Sequence, residues 1–167
     1  MSPELGPVHV RRARVGEAQA IADLNNRFAA EALMLPRSAE SIAVAIDDYV
    51  VAVTPRGAVV GCGALKEYSP SLAEVAAVAV AEQAHGRGLG RQIVAAVETL
   101  ALKRGIRELF ALTVQPMFFE ALGYASTDRA LYPEKERRDC AGCARRAGCA
   151  ELCMAKRLPG DQMEAAA

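Results

Sequence analysis

Three groups of residues in this chain have types and spacings that could do chemistry. The first is Gln83-Ala84-His85-Gly86-Arg87-Gly88-Leu89-Gly90, with glycine at alternate positions. Glycine lets the backbone turn tightly and approach a ligand with no Cβ in the way. If a helix starts here, its first amides lack intrahelical partners and its dipole favours an anion. A pyrophosphate suits that description, and Arg87 or Arg91 adds charge. A P-loop would end in Gly-Lys-Ser/Thr, whereas Arg91-Gln92 follows Gly90. On the loop alone, a glycine-rich turn used only for packing is an equal alternative. The second group is Glu74, the single carboxylate within the apolar run Leu72 to Val80. Such a charge either faces solvent at an edge or serves a function in a cleft. The third is Cys140, Cys143, Cys149 and Cys153, which crowd into fourteen residues. Four thiolates so spaced suit tetrahedral zinc, but the loops between them are tight for a zinc ribbon. Reduced thiols or a Cys140–Cys143 redox pair together outweigh that reading, and the expectation is that no metal is bound.

Composition narrows the classes of function. The 167 residues are enough for one domain, and half of them (52%) are hydrophobic, so a sizeable core is available. Twenty basic and twenty acidic side chains cancel, which removes the electrostatic case for nucleic acid or an anionic membrane as a partner. No apolar run approaches the roughly 20 residues of a membrane helix, and Met1 to Gly6 lacks the pattern of a secretory signal. The chain reads as cytoplasmic, where thiols stay reduced.

The elements that must position these groups follow from periodicity. Val8 to Arg11 is a short strand, and Gly16 to Glu31 carries Ile21, Leu24 and Phe28 at helical spacing. Ser38 caps a second helix after Pro36. Tyr49 to Val53, Ala58 to Tyr68 and Leu72 to Val80 are strands, separated by the turns Thr54-Pro55-Arg56-Gly57 and Ser69-Pro70-Ser71. A long helix runs from Gly90 to about Arg104, where Gly105 ends it. Leu109 to Val114 is a strand, Pro116 to Leu122 a short helix, Gly123-Tyr124 the start of a strand, and Leu152 to Leu158 the last strand. The expectation is an α/β fold with a mixed, mainly antiparallel sheet flanked by helices. A dinucleotide fold is disfavoured, because there the glycine loop follows the first strand of a parallel sheet.

Val78-Ala79-Val80 followed by Gln83 to Gly90 resembles the acyl-CoA signature of the GNAT superfamily of N-acetyltransferases, Gln/Arg-x-x-Gly-x-Gly/Ala. Phe118-Phe119-Glu120-Ala121-Leu122-Gly123-Tyr124 is similar to the superfamily's second motif, and a helix and a strand separate the two as expected. The resemblance covers residues 8 to 158 and implies the GNAT fold, one N-acetyltransferase domain over residues 1–160 and a disordered tail over 161–167. It implies acetyl-CoA held by Val78, Ala79, Val80, His85, Gly86, Arg87, Gly88, Leu89, Gly90 and Arg91. In it the pantetheine arm pairs with the strand ending at Val80, and a splay beside that strand admits the thioester. The acceptor amine then attacks directly within a ternary complex. Glu74 takes the place of the general base, directly or through water, because the family often carries that group on this strand. Many members have an acidic Tyr one residue after the Phe of the second motif; here Phe119 stands there, and Tyr124 is the substitute.

A narrower resemblance concerns the acceptor. Leu33-Met34-Leu35-Pro36-Arg37-Ser38, Val60-Gly61-Cys62-Gly63-Ala64-Leu65, Glu74 to Val80 and Leu109 to Thr113 resemble the acetyltransferase domain of the N-acetylglutamate synthases. That implies acetylation of the α-amine of L-glutamate, a step of arginine biosynthesis, by the short form without a kinase-like domain. A dicarboxylate calls for two cationic clamps, Arg above all. Arg37 matches one basic position, and Lys135 and Arg138 are the candidates for the other. Another amino acid, a small amine, a protein N-terminus, or a non-catalytic acetyl-CoA-binding module are the alternatives. Strand edges in such a fold often support a homodimer.

Overall fold

Apolar runs alternate with glycine- and proline-bearing turns along this chain, and the computed structural model shows what they build over residues 4–143 and 149–160. The tail expected at 161–167 lies outside the described residues. Seven strands form a mixed sheet in the order β1-β2-β3-β4-β5-β7-β6. Two compact units share the chain: one takes the described residues up to Lys66 with Val75–Leu100, the other Glu67–Glu74 with the described residues from Ala101 onward.

In the first unit, β1 (His9–Arg12) and β2 (Tyr49–Val53) pair antiparallel, and β2 pairs antiparallel with β3 (Val59–Ser69). All five residues of β2 are buried, as its β-branched composition leads one to expect. Helix α1 (Ala18–Ala30) begins later than periodicity implied, because Val15–Glu17 makes a tighter 3₁₀ turn first. Ser38 caps α2 (Ala39–Val44) by accepting from the Ser41 amide. Strand β4 (Leu72–Val80) has the predicted bounds and is almost wholly buried. Helix α3 (Leu89–Lys103) follows and ends where Gly105 takes φ +76°. Ile93, Val94 and Val97 on α3 are fully buried, as are Ile21, Val50 and Val51. Each such side chain contributes about 1.5–3 kcal/mol by burial. Helix and sheet approach closely at Gly61 and Gly63: a Cβ on Gly61 would lie 2.7 Å from Ile93 Cδ1, and one on Gly63 2.6 Å from Ile93 Cγ2.

In the second unit, residues Leu72 to Glu74 of β4 run parallel to β5 (Glu108–Thr113), pairing with Glu108, Leu109 and Phe110. β7 (Leu152–Arg157) pairs antiparallel with β5 along its whole length, and β6 (Ala125–Thr127) pairs antiparallel with β7. The short helix α4 (Pro116–Glu120) stops two residues before the expected end, since Gly123 turns with φ +91° and β6 starts only at Ala125. Between β6 and β7 the chain makes a 3₁₀ turn Arg129–Leu131, a helical turn α5 (Pro133–Lys135) and a π-helical turn Glu136–Cys140. Single turns carry no periodicity, so none of the three was legible from pattern. Phe110 centres this core, stacked 4.4 Å from Tyr132 and tilted 5.6 Å from Tyr68. No described helix is long and apolar enough to cross a membrane.

The close approach at Gly61 is testable by a double-mutant cycle. Gly61→Ala overpacks the interface and should cost about 1–3 kcal/mol, whereas Ile93→Val, which removes the clashing Cδ1, costs about 0.5–1.5 kcal/mol alone. Urea unfolding of the double variant should show a cost well below the sum of the singles.

Candidate active site

The glycine loop lies in the first unit. A 3₁₀ turn, Glu82–Ala84, leads to His85, and Gly86 and Gly88 adopt φ +78° and +72°, where a side chain would be strained. A Cβ on either glycine would meet nothing within 4 Å, so the backbone there faces open space. The first closed turn of α3 runs from the Gln92 amide to the Gly88 carbonyl, 3.1 Å, which leaves the amides of Leu89, Gly90 and Arg91 without intrahelical partners. An anionic group fits that arrangement, and the pyrophosphate of a coenzyme is such a group. Arg87 donates to the Gly6 carbonyl at 2.9 Å, which ties the loop to the start of the chain. His85 Nε2 donates to the Val80 carbonyl at 2.7 Å, so this carbonyl, expected to pair with pantetheine, is engaged by the loop itself.

Further along β4, Ala77 takes φ +54°, rare for an L-residue, and interrupts the regular strand. The buried Cys62 thiol donates to the Ala77 carbonyl at 3.3 Å. Burial pushes the Cys62 thiol up to about 12, so it acts as a neutral donor and not as a nucleophile. Arg37 is fixed through its backbone: its amide donates to Asn26 Oδ1 at 2.9 Å, and Asn26 Nδ2 donates to its carbonyl at 2.8 Å. Asn25 holds Leu35 in the same way, at 2.9 Å. Among the described residues, the Arg37 guanidinium hydrogen-bonds only the Tyr49 hydroxyl, at 3.5 Å.

The second unit holds Glu74, buried at 6% exposure. Its carboxylate accepts from the Tyr68 hydroxyl at 2.9 Å and pairs with the Lys135 ammonium at 2.8 Å. Lys135 also meets Asp139 at 3.0 Å, one turn along the same helical segment, and the Tyr68 hydroxyl lies 2.5 Å from Asp139 Oδ2. Burial opposes the charge on Lys135, but Glu74 and Asp139 outweigh it and hold its pKa above the ordinary value. Burial, followed by the nearby carboxylates, raises Tyr68 as well, so the phenol stays protonated. The structure therefore joins Glu74 and Lys135, which the sequence had set in separate roles. Tyr68 and Asp139 were missed. A hairpin around Ser69-Pro70-Ser71 returns residue 74 toward residue 68, and the i, i+4 spacing of Lys135 and Asp139 was the available signal.

The remaining residues lie elsewhere. Arg138 sits 4.7 Å over the Tyr68 ring and donates to the Glu67 carbonyl at 2.8 Å. Tyr124 is 2% exposed, packed edge-on against Phe119 at 5.2 Å with the Lys156 ammonium over its ring. That is a core aromatic's environment. Among the cysteines, burial raises Cys140 and pushes Cys153 up to about 11, and Cys149 accepts from Arg129 at 3.6 Å. Among the described residues no three such side chains are arranged to hold a metal ion; residues 144–148, between Cys143 and Cys149, lie outside them.

A glycine loop opening a long helix after antiparallel strands, with a carboxylate buried on the strand before it, defines an acyl-transfer fold. The acetyltransferase (GNAT) family model matches residues 19–125, and the chain belongs to that family. It is an acetyl-CoA-dependent N-acetyltransferase. An uncharacterised N-acetyltransferase of Chlorobaculum tepidum is 38% identical over 89% of this chain and 96% of its own. The amino-acid acetyltransferase of Mycobacterium tuberculosis is 32% identical over 71% of this chain and 69% of its own. N-acetylglutamate synthase from Neisseria gonorrhoeae, solved with coenzyme A and N-acetyl-glutamate, superposes with a TM-score of 0.82 at 28% identity. That match covers 93% of this chain but 36% of the synthase, so the chain spans about a third of that protein.

Lys135 has a clear energetic consequence. Its side chain and that of Glu74 are 13% and 7% exposed, and Lys135→Met strands two carboxylates, costing about 3–5 kcal/mol in urea unfolding. Because the folded pKa of Lys135 is raised, its contribution is whole below the ordinary lysine value of 10.5 and is lost as the pH climbs through the folded value. The alkaline decline in stability should therefore be shallower in Lys135→Met than in the parent.

Proposed function

We propose that this N-acetyltransferase transfers the acetyl group of acetyl-CoA to the α-amine of L-glutamate, a cytoplasmic step on the way to arginine. The observation that carries the acceptor is Arg37: its backbone is clamped at both amide and carbonyl by Asn26, and among the described residues its guanidinium makes one long hydrogen bond, to Tyr49. A pre-positioned guanidinium matches a carboxylate in bidentate fashion at small entropic cost. Similarity to proteins named amino-acid acetyltransferase and N-acetylglutamate synthase supports the same acceptor.

Acetyl-CoA supplies an activated thioester; this chain's residues bind it, align the amine and manage its proton. The amides of Leu89, Gly90 and Arg91, with the open backbone of Gly86 and Gly88, hold the diphosphate. Glu74 accepts the proton that the α-ammonium must lose, directly or through a water, since amines are mostly protonated at neutral pH. Tyr68 and Lys135 orient that carboxylate. Lys135 is committed to Glu74 and Asp139, so Arg138, with guanidinium donors left beyond its bond to Glu67, is the better second clamp. Tyr124 keeps the role of substitute acid only if its hydroxyl reaches the thiolate, and its packing against Phe119 favours a structural part.

A different acceptor has one observation behind it: the Chlorobaculum protein, called only an N-acetyltransferase, is more similar than the Mycobacterium amino-acid acetyltransferase, at 38% against 32% identity. Thiol release from acetyl-CoA on adding L-glutamate, compared with a panel of amino acids and simple amines, decides between them. Glutamate should be turned over. Arg37→Ala should raise its apparent KM roughly tenfold to a hundredfold, the worth of a charged hydrogen bond. Glu74→Gln should lower kcat about 10²–10⁴-fold. Turnover of another amine with none of glutamate would transfer the assignment to that acceptor.

A further inference from the structure

The Tyr68 hydroxyl stands between two carboxylates. It lies 2.9 Å from Glu74 Oε2 and 2.5 Å from Asp139 Oδ2. Both distances are hydrogen-bonding distances between oxygens, and each needs a hydrogen. A phenol has one, and an ionised carboxylate has none. The one phenol hydrogen therefore serves either carboxylate, and Lys135 bridges the two. Lys135 and the Arg138 guanidinium, 4.7 Å over the Tyr68 ring, set two positive charges beside them at a site where Glu74, Lys135 and Asp139 are 7–17% exposed.

We propose that Glu74, Tyr68 and Asp139 form a proton relay, through which the proton taken up by Glu74 during acetyl transfer leaves by way of the Tyr68 hydroxyl to Asp139 and solvent. The proposal rests on Glu74 as base. At rest the Tyr68 hydroxyl donates to the carboxylates of Glu74 and Asp139. Once Glu74 is protonated, one transfer to Asp139, followed by loss of that proton from Asp139 to water, restores the site. The O–H bond of Glu74 breaks as the Tyr68 oxygen takes that proton, and the O–H bond of Tyr68 breaks as Asp139 takes the other. The hydroxyl ends as it began, and one proton has moved outward. Asp139 suits the exit, its side chain being 17% exposed against 7% for Glu74.

Tyr68 has the fixed position that a relay needs. Its ring lies between Phe110 at 5.6 Å and the Arg138 guanidinium at 4.7 Å. Lys135 touches both carboxylates and keeps them on one hydroxyl. Beside the cluster lie the Arg138 guanidinium over the Tyr68 ring, Cys140 on the same turn as Asp139, with Glu136 and Arg129 acting on it, and Cys153 on β7; burial holds both thiols neutral. Tyr68, Lys135 and Asp139 are thus positioning residues that act through Glu74.

Two readouts test the relay, and the first needs no acceptor. Infrared difference spectra at neutral pH, wild type minus Asp139→Asn, should show a carboxylate band that shifts in Tyr68→Phe. The absence of that band, or a band indifferent to Tyr68→Phe, overturns the proposal. In the second, kcat with acetyl-CoA and L-glutamate should fall about tenfold or more in Tyr68→Phe and in Asp139→Ala, with the KM for acetyl-CoA unchanged, against the 10²–10⁴-fold range of general-base loss. Imidazole buffer should restore Asp139→Ala in proportion to its concentration, which a purely structural role would not allow. Wild-type kcat in folded Tyr68→Phe overturns the relay even where Glu74→Gln is inactive; if Tyr68→Phe fails to fold, Asp139→Ala and its rescue carry the kinetic result. A positive infrared result with no glutamate turnover supports the relay and removes only the glutamate assignment.

Discussion

A carboxylate inside an apolar strand is costly to keep, and the second unit is arranged around that cost. Glu74 is flanked on β4 by Ala73 and Val75, both buried, so its charge must be met by side chains arriving from elsewhere. Lys135 supplies the opposite charge and Tyr68 a hydrogen bond. For Lys135 to arrive, the chain between β6 and β7 must wind into the turns Pro133–Lys135 and Glu136–Cys140. Those turns rest on Tyr132, stacked on Phe110, whose other neighbour is the Tyr68 ring. Charge and packing are therefore one arrangement: the aromatic stack that fills the core also aims the groups that tolerate the charge.

The first unit answers to a different constraint, close approach of backbone. Gly61 and Gly63 let Ile93 of α3 sit against the sheet, and Gly86 and Gly88 leave the loop before α3 bare. The helix is thus seated by one pair of glycines, and another pair leaves the backbone before it facing open space. His85 and Arg87 then tie the loop to the Val80 and Gly6 carbonyls, which orders a segment that its glycines would otherwise leave free. An anion site built from backbone amides needs this rigidity, since each amide contributes only while it points at the ligand.

What the sequence disclosed follows the same division. The strands and long helices were legible because burial imposes a period: β4 has its expected bounds, and β2 likewise. The glycine loop was legible because glycine is the favoured residue at the positive φ that Gly86 and Gly88 adopt. Glu74 stood out as a charge in an apolar run, but its partners did not. Lys135 read as part of a basic run bound for a substrate, since a single helical turn has no period and an ion pair across 61 residues leaves no local trace. Tyr68 looked like any strand aromatic, and Asp139 like a solvated charge. Their roles exist only once the hairpin and the turns are folded.

The consequence for specificity follows from where Lys135 ends up. An ammonium held by two carboxylates has little left to offer a third, so in the proposed function recognition of an acidic acceptor falls to guanidinium groups, and first to Arg37. Arg37 is set by Asn26 through its backbone, not through its side chain. Sequence changes in the 31–38 loop can therefore alter what the guanidinium meets without disturbing the buried carboxylates or the glycine loop. Under the proposed function, donor binding and proton handling belong to the strands and their packing, whereas the acceptor belongs to one loop held by one asparagine. On this view, similarity across β4 and α3 identifies an acetyltransferase, and only the loop bearing Arg37 speaks for glutamate.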